Sequence, residues 1–191
     1  MIIVTGGIHR SGTTWLYNCV KNLFDEYNYC FYENINLYSN TIYKSHTWHV
    51  EFVNTDSILI TRDIRSVAAS LLSFKPLKNY YNINENNIIR HLEKTVVEEC
   101  ELWQPKLKLK YEDGKLKNTQ KIIDHFLIDK NAELIVQKTD QIEQPKHTRD
   151  IHTELWPNHI TGSSMANLPV KLCDEISIHF GWWLEKHGYR I

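Results

Sequence analysis

The chain has 191 residues, 42% hydrophobic and 24% charged, a balance that excludes extended disorder and supplies enough apolar surface for a buried core. Lys+Arg is 22 against Asp+Glu 23, a formal charge of -1, which argues against a general nucleic-acid binder; any anion site must be local. No run approaches the roughly 18 apolar residues of a membrane span, and the first residues lack the basic leader and long apolar stretch of a signal peptide.

In chain order, residues 2–5 form a β-branched run that ends in Gly6-Gly7 and predicts a first strand. Trp15, Leu16, Cys19, Val20, Leu23 and Phe24 then recur on one helical face. Residues 29–33 and 41–46 read as short strands, and 57–61 as a buried strand closed by Arg62-Asp63. A helix is expected from Ile64 to Phe74, stopped by Pro76. Residues 79–87, with five asparagines and two tyrosines, read as a polar surface loop. A long helix with Ile88, Leu92, Val96, Cys100 and Trp103 on one face is expected to end at Pro105. Leu107 to Tyr111 reads as a further strand, and Ile122, Ile123, Phe126 and Leu127 mark another helix. Gln141 to Ala166 is irregular, and one last helix from about Pro169 buries Leu172, Ile176, Phe180, Trp183 and Leu184 before Gly188. Of the Trp182-Trp183 pair, core and rim packing is the expected role. Alternating strands and helices predict an α/β fold, one domain over 1–191 with a central parallel sheet flanked by helices. Cys19, Cys30, Cys100 and Cys173 are far apart with no C-x-x-C pair, as expected for reduced thiols in a cytoplasmic protein.

The strongest local signal is Gly7-Ile-His-Arg-Ser-Gly12-Thr13-Thr14 between a strand and a helix. Gly7, Gly12 and Thr14 fit the nucleotide-binding P-loop pattern G-x-x-x-x-G-K-[ST], but Thr13 stands where the lysine belongs. Backbone N–H groups at the helix start can still cradle an anion, with hydroxyls of Ser11, Thr13 and Thr14 as further donors. The lysine that reaches the outer phosphates of a triphosphate is lost and Arg10 reappears upstream, which suits a single 5′-phosphate carrying something else.

Arg10-Ser-Gly-Thr-Thr-Trp15 resembles the 5′-phosphosulfate loop of the sulfotransferases, enzymes that use 3′-phosphoadenosine 5′-phosphosulfate. Arg62 followed eight residues on by Ser70 resembles their 3′-phosphate motif. Tyr43-Lys44-Ser45-His46 resembles the family's Lys-Thr-His, Lys110-Tyr111-Glu112-Asp113 its Tyr-Glu-Asp, and Trp156-Pro157-Asn158-His159 its distal Trp-Lys-Asn-His. Arg149, nine residues before Asn158, stands where the family's distal arginine stands, though Asp150 and Ile151 replace the lysine and glycine that follow it there. The resemblance implies a fold of the P-loop nucleotide-binding type and transfer of a sulfonate to a hydroxyl or amine. It implies donor contacts from Arg10, Ser11, Gly12, Thr13, Thr14, Arg62, Ser70 and Arg149, adenine contacts from Trp15 and Tyr111, and no metal.

Sulfuryl transfer needs a base for the acceptor's proton and positive groups for the sulfonate and the departing phosphate. His46 is the natural base, and Glu33 at the end of the second strand is the alternative, since some branches of the family use a glutamate. Lys44 is placed to contact the sulfonate, and Arg10, too basic to give up a proton, acts by charge alone. In an open α/β sheet Arg10, Glu33, His46 and Arg62 should converge beyond the strands' carboxyl ends. The acceptor would be a small molecule or carbohydrate, with neither nucleic acid nor membrane as partner. Two competing readings are a kinase with an atypical P-loop, using Asp63 on magnesium, and an inactive module that binds adenosine 3′,5′-bisphosphate.

Overall fold

The computed structural model describes residues 1–31, 37–142 and 165–191. Five strands, β1 (Ile2–Gly6), β2 (Asn28–Phe31), β3 (Thr41–Ser45), β4 (Asp56–Thr61) and β5 (Leu107–Lys110), form one sheet in the order β2-β3-β1-β4-β5. Every neighbouring pair is parallel. The expected parallel α/β fold is the fold found.

The strands are apolar on both faces because helices cover both. Ile3, Ile42, Ile58 and Ile60 pack on one side with α1 (Thr13–Leu23), α5 (Lys115–Phe126) and α6 (Ala132–Asp140). Val4, Tyr43 and Leu59, their neighbours in sequence, face the other side. There they meet α2 (Ile64–Ser73), α4 (Ile88–Glu93), α7 (Val170–His179) and α8 (Gly181–Lys186). Among the described residues no helix is long and apolar enough to cross a membrane.

Several elements differ from the sequence reading. Pro76 does not end helical structure: Phe74 breaks it, and Pro76 sits in the first turn of a new helix, α3 (Lys75–Tyr80), where a missing N–H costs nothing. The polar loop after it buries Ile83. The long helix is α4 followed by a π-helical stretch, Lys94–Cys100. Its apolar residues recur every four positions from Ile88 to Cys100, longer than the 3.6-residue turn, so a wider turn keeps the stripe on the core. Trp103, at the end of that stretch, lies against Gly6, where a Cβ would sit 2.0 Å from its ring.

Leu127 is not on the buried face of α5; it adopts a left-handed conformation (φ 53) as the helix's C-cap and is 91% exposed. The sequence reading assigns no element to α6, which Asn131 caps by accepting from Leu134 N at 3.1 Å. The single C-terminal helix is two, broken at Phe180, and of the tryptophan pair Trp183 is buried while Trp182 is 46% exposed. All four cysteines are free thiols.

Candidate functional site

β1 lies between β3 and β4, so the segments leaving these three strands emerge side by side. In register, Gly6 stands opposite Ser45 on one side and Leu59 on the other. The loop after β1, His46 after β3 and Arg62 after β4 therefore meet where the strand order reverses, the usual ligand crevice of such sheets.

The loop from Gly7 to Gly12 needs its two glycines. Gly7 (φ 149) passes so close to β4 that a Cβ would lie 2.4 Å from the Ile60 carbonyl oxygen. Gly12 (φ 98) is the residue before α1, and a Cβ there would lie 2.7 Å from the Tyr111 ring. Arg10 between them also has a positive φ, 70. Left-handed residues interspersed in a turn that leads into a helix N-terminus are the backbone pattern from which anion nests are built. Ser11 closes the turn: its N–H and hydroxyl both donate to the Ile8 carbonyl, at 3.1 and 2.8 Å. Its hydroxyl proton is therefore engaged within the loop rather than offered to an anion, as the sequence reading expects. Thr13 is buried at the helix start, and Thr14 Oγ1 accepts from Lys44 Nζ at 2.8 Å, which leaves its own proton to donate.

Three cations border the loop. Arg10 Nε donates to Ser70 Oγ at 2.9 Å, and its guanidinium lies over the Phe74 ring at 4.3 Å. Arg62 Nη1 donates to the Arg10 carbonyl at 3.1 Å, with its guanidinium 4.5 Å from the Tyr111 ring centroid. Burial, reinforced by Arg10, pulls the Lys44 ammonium down to about 8. Burial and then Arg62 pull Arg10 down to about 10, which leaves it charged at neutral pH. Cations that depress one another in a buried crevice define a place where an anion is stabilised.

His46 is held at the strand end by a tight turn in which Ser45 Oγ donates to the Thr47 carbonyl at 2.7 Å and accepts from Thr47 N at 3.2 Å. Its Nδ1 lies 2.8 Å from the Gly7 carbonyl. A carbonyl only accepts, so Nδ1 carries hydrogen and the neutral ring's lone pair is on Nε2. Arg62 is followed by Asp63, which caps α2 through Arg65 N at 2.9 Å and grips the Arg65 guanidinium with both oxygens, at 3.0 and 2.6 Å. Glu112, next to Tyr111, accepts from Asp63 N at 2.9 Å and from the Tyr189 hydroxyl at 3.2 Å. The Tyr-Glu-Asp stretch thus ties β5 and the C-terminal residues to the segment that carries Arg62.

Beside the loop is a cavity of about 140 Å³ lined by Trp15, Ile60, Tyr111, Gly114, Lys115 and Asn118. Trp15 Nε1 and Asn118 Oδ1 are buried without a hydrogen-bond partner among the described residues. An apolar slot with one idle donor and one idle acceptor suits a flat heterocycle such as a purine. Asn118 is a residue the sequence reading missed, as are Phe74 under Arg10 and His9, whose ring stacks on His46. The structure brings together Arg10, Ser11, Gly12, Thr13, Thr14, Trp15, Lys44, His46, Arg62, Ser70 and Tyr111. Glu33, Arg149 and Trp156 to His159 lie outside the described residues.

This combination defines the class: a P-loop-type parallel α/β fold whose glycine loop, bordered by three cations, lies at the end of its central strand. Among solved structures the chain is similar to mouse sulfotransferase SULT7A1 complexed with PAP, with a TM-score of 0.64 and 16% identity over 96% of this chain and 84% of that one. The fold that the sequence resemblance implied is thus the fold of a solved sulfotransferase. No protein-family model matches the chain, and no curated protein matches it in sequence.

The Lys44 environment carries a pH signature. Its folded pKa, about 8, lies below the ordinary 10.5, so between the two the unfolded chain holds the extra proton. This group therefore makes the apo protein more stable as pH rises through that window, and its full destabilising cost is present below pH 8. Binding of an anion beside Lys44 needs the charge and runs the other way: affinity for a probe anion such as inorganic sulfate should fall as pH rises past about 8. Calorimetric titrations from pH 7 to 9.5 on the wild type and Lys44→Met test this, the variant being expected to lose the dependence.

Proposed function

We propose that the chain is a single sulfotransferase-like domain over 1–191 that transfers the sulfonate of 3′-phosphoadenosine 5′-phosphosulfate to a hydroxyl or amine of a small-molecule or carbohydrate acceptor. The observation that carries this reading is the convergence of Arg10, Lys44 and Arg62 on a glycine loop without a Walker lysine, beside the cavity walled by Trp15 and Tyr111. The solved neighbour's complex with PAP supports it.

The donor supplies an activated sulfonate whose sulfur takes the acceptor oxygen as its bond to the phosphate oxygen breaks. His46 removes the acceptor's proton through Nε2, with Gly7 fixing its tautomer. Lys44 and Arg10 hold the sulfonate, and the loop N–H groups and Thr14 stabilise the charge that grows on the departing phosphate. Arg62 takes the 3′-phosphate together with Ser70, whose hydroxyl Arg10 holds, and Trp15 and Tyr111 take the adenine. Glu33 is the alternative base, Arg149 a further 3′-phosphate ligand, and the cytoplasm the proposed location.

Asp63 counts against the kinase reading, because both its oxygens are engaged by Arg65 and the α2 cap. Thermal unfolding with adenosine 3′,5′-bisphosphate in a chelator is the first test. At 100 times Kd the ligand adds about 2.7 kcal/mol, roughly 5–10 °C for a chain of this size. Transfer of labelled sulfonate to a panel of hydroxyl acceptors then separates an enzyme from an inactive binding module. Stabilisation by ATP with magnesium alone would overturn the reading.

A further inference from the structure

His9 lies in the turn between Gly7 and Gly12, and its backbone is fixed because the Ile8 carbonyl on one side accepts twice from Ser11 on the other. Its imidazole stacks on His46 with ring centroids 3.9 Å apart and planes at 27°. Tyr81, from the segment after α3, lies 5.8 Å from the His9 ring, and His91 of α4 lies 5.2 Å beyond Tyr81. The bond from His46 Nδ1 to the Gly7 carbonyl bears on one ring atom and on the tautomer, not on the ring plane. The stacked His9 ring fixes that plane.

Resting on the sulfonate-transfer reading with His46 as base, we propose that His9 is a positioning residue that orients the His46 ring and couples its protonation to a second imidazole. Both rings belong to the residue type that titrates near neutrality. A proton on one leaves the other's π face favourable to it, whereas two protons at this spacing repel. The pair should therefore titrate in two separated steps rather than as two independent histidines. Among the described residues, the titratable or charged groups on the elements around the pair include Arg10 beside His9, Lys44 on β3, His49 after it, Lys75 and Lys78 on α3, Tyr81 after α3, and Arg90, His91 and Glu93 on α4. Arg10 and Lys44 are cationic at neutral pH and favour the neutral pair.

Phenylalanine at position 9 keeps a flat ring but cannot titrate, and alanine removes the ring. NMR titration of ring-labelled histidine in the full chain should give His46 a broad, two-step curve in the wild type and a single one-proton curve in His9→Phe. The acid limb of the kcat profile should sharpen in the same way. His9→Ala should lower kcat by about 10-fold, less than the roughly 10²-fold that about 1 Å of misplacement can cost, with KM for the donor little changed. His9→Phe should restore most of that kcat at high pH. A His46 curve identical in wild type and His9→Phe, together with unchanged kcat in His9→Ala, would overturn the proposal. Absence of any sulfonate transfer by the wild type would instead overturn the functional reading, and the NMR result stands apart from it. If His9→Ala does not fold, the His9→Phe titration alone decides.

Discussion

Turnover of sulfonate transfer is expected to fall by about 10²–10⁴-fold in His46→Ala, the usual contribution of a general base. Affinity for adenosine 3′,5′-bisphosphate should be nearly unchanged, since in the proposed reaction the imidazole acts on the acceptor rather than the donor. Alanine, however, also removes the contact with the Gly7 carbonyl, which belongs to the anion loop. Asparagine is the sharper probe, because its side-chain amide can still donate to that carbonyl but has no basic nitrogen. His46→Asn should be as inactive as His46→Ala while holding the loop at least as well. Steady-state rates with labelled donor, alongside calorimetry with the bisphosphate, separate the two effects. An active His46→Asn paired with an inactive Glu33→Ala would move the base to the carboxylate and leave the donor site as proposed.

Much of this architecture was legible because single physical constraints decide it. A parallel sheet covered on both faces demands continuous apolar strands, and the runs at 2–5 and 57–61 are such strands. The glycine loop was legible because Gly7 and Gly12 occupy backbone where a Cβ would meet Ile60 or Tyr111. What failed was local punctuation whose meaning depends on tertiary context. Pro76 reads as a stop, yet it opens α3, because proline costs nothing in a helix's first turn. α6 buries only Ala132, Ile135 and Thr139, too narrow a stripe to stand out from a polar background.

The site shows the same division. That Arg10, Lys44, His46 and Arg62 come together was legible because they lie at or just after the ends of neighbouring strands. The partnerships among them were not, because they join residues far apart in sequence. Arg10 meets Ser70 across 60 residues, and Lys44 meets Thr14 across 30. His9 carries no signal at all in one dimension. It becomes a candidate only when β1 and β3 pair so that Gly6 faces Ser45, which brings the residues after each strand into stacking distance.

Arg62 has one role in the structure and a second in the proposed donor site, and its replacement tests which one dominates. The guanidinium supports the loop through the Arg10 carbonyl and lies on the Tyr111 ring, so Arg62→Ala should loosen any nucleotide that uses the loop and the aromatic wall. The proposed contact with the 3′-phosphate adds a charge-assisted interaction that only the 3′-phosphorylated nucleotide feels. Losing it costs about 1.5–3 kcal/mol, or roughly 10–150-fold in Kd. Calorimetry of wild type and variant with adenosine 3′,5′-bisphosphate and with adenosine 5′-phosphate cancels the shared loss and leaves the phosphate contribution as the difference. Arg62→Lys sharpens the comparison: it keeps the charge but loses the planar fork, so it should recover part of the discrimination and little of the support to the loop. Equal weakening of both nucleotides in Arg62→Ala would make Arg62 a prop for the loop alone, and the 3′-phosphate would then have to be held elsewhere, with Arg149 the first residue to replace.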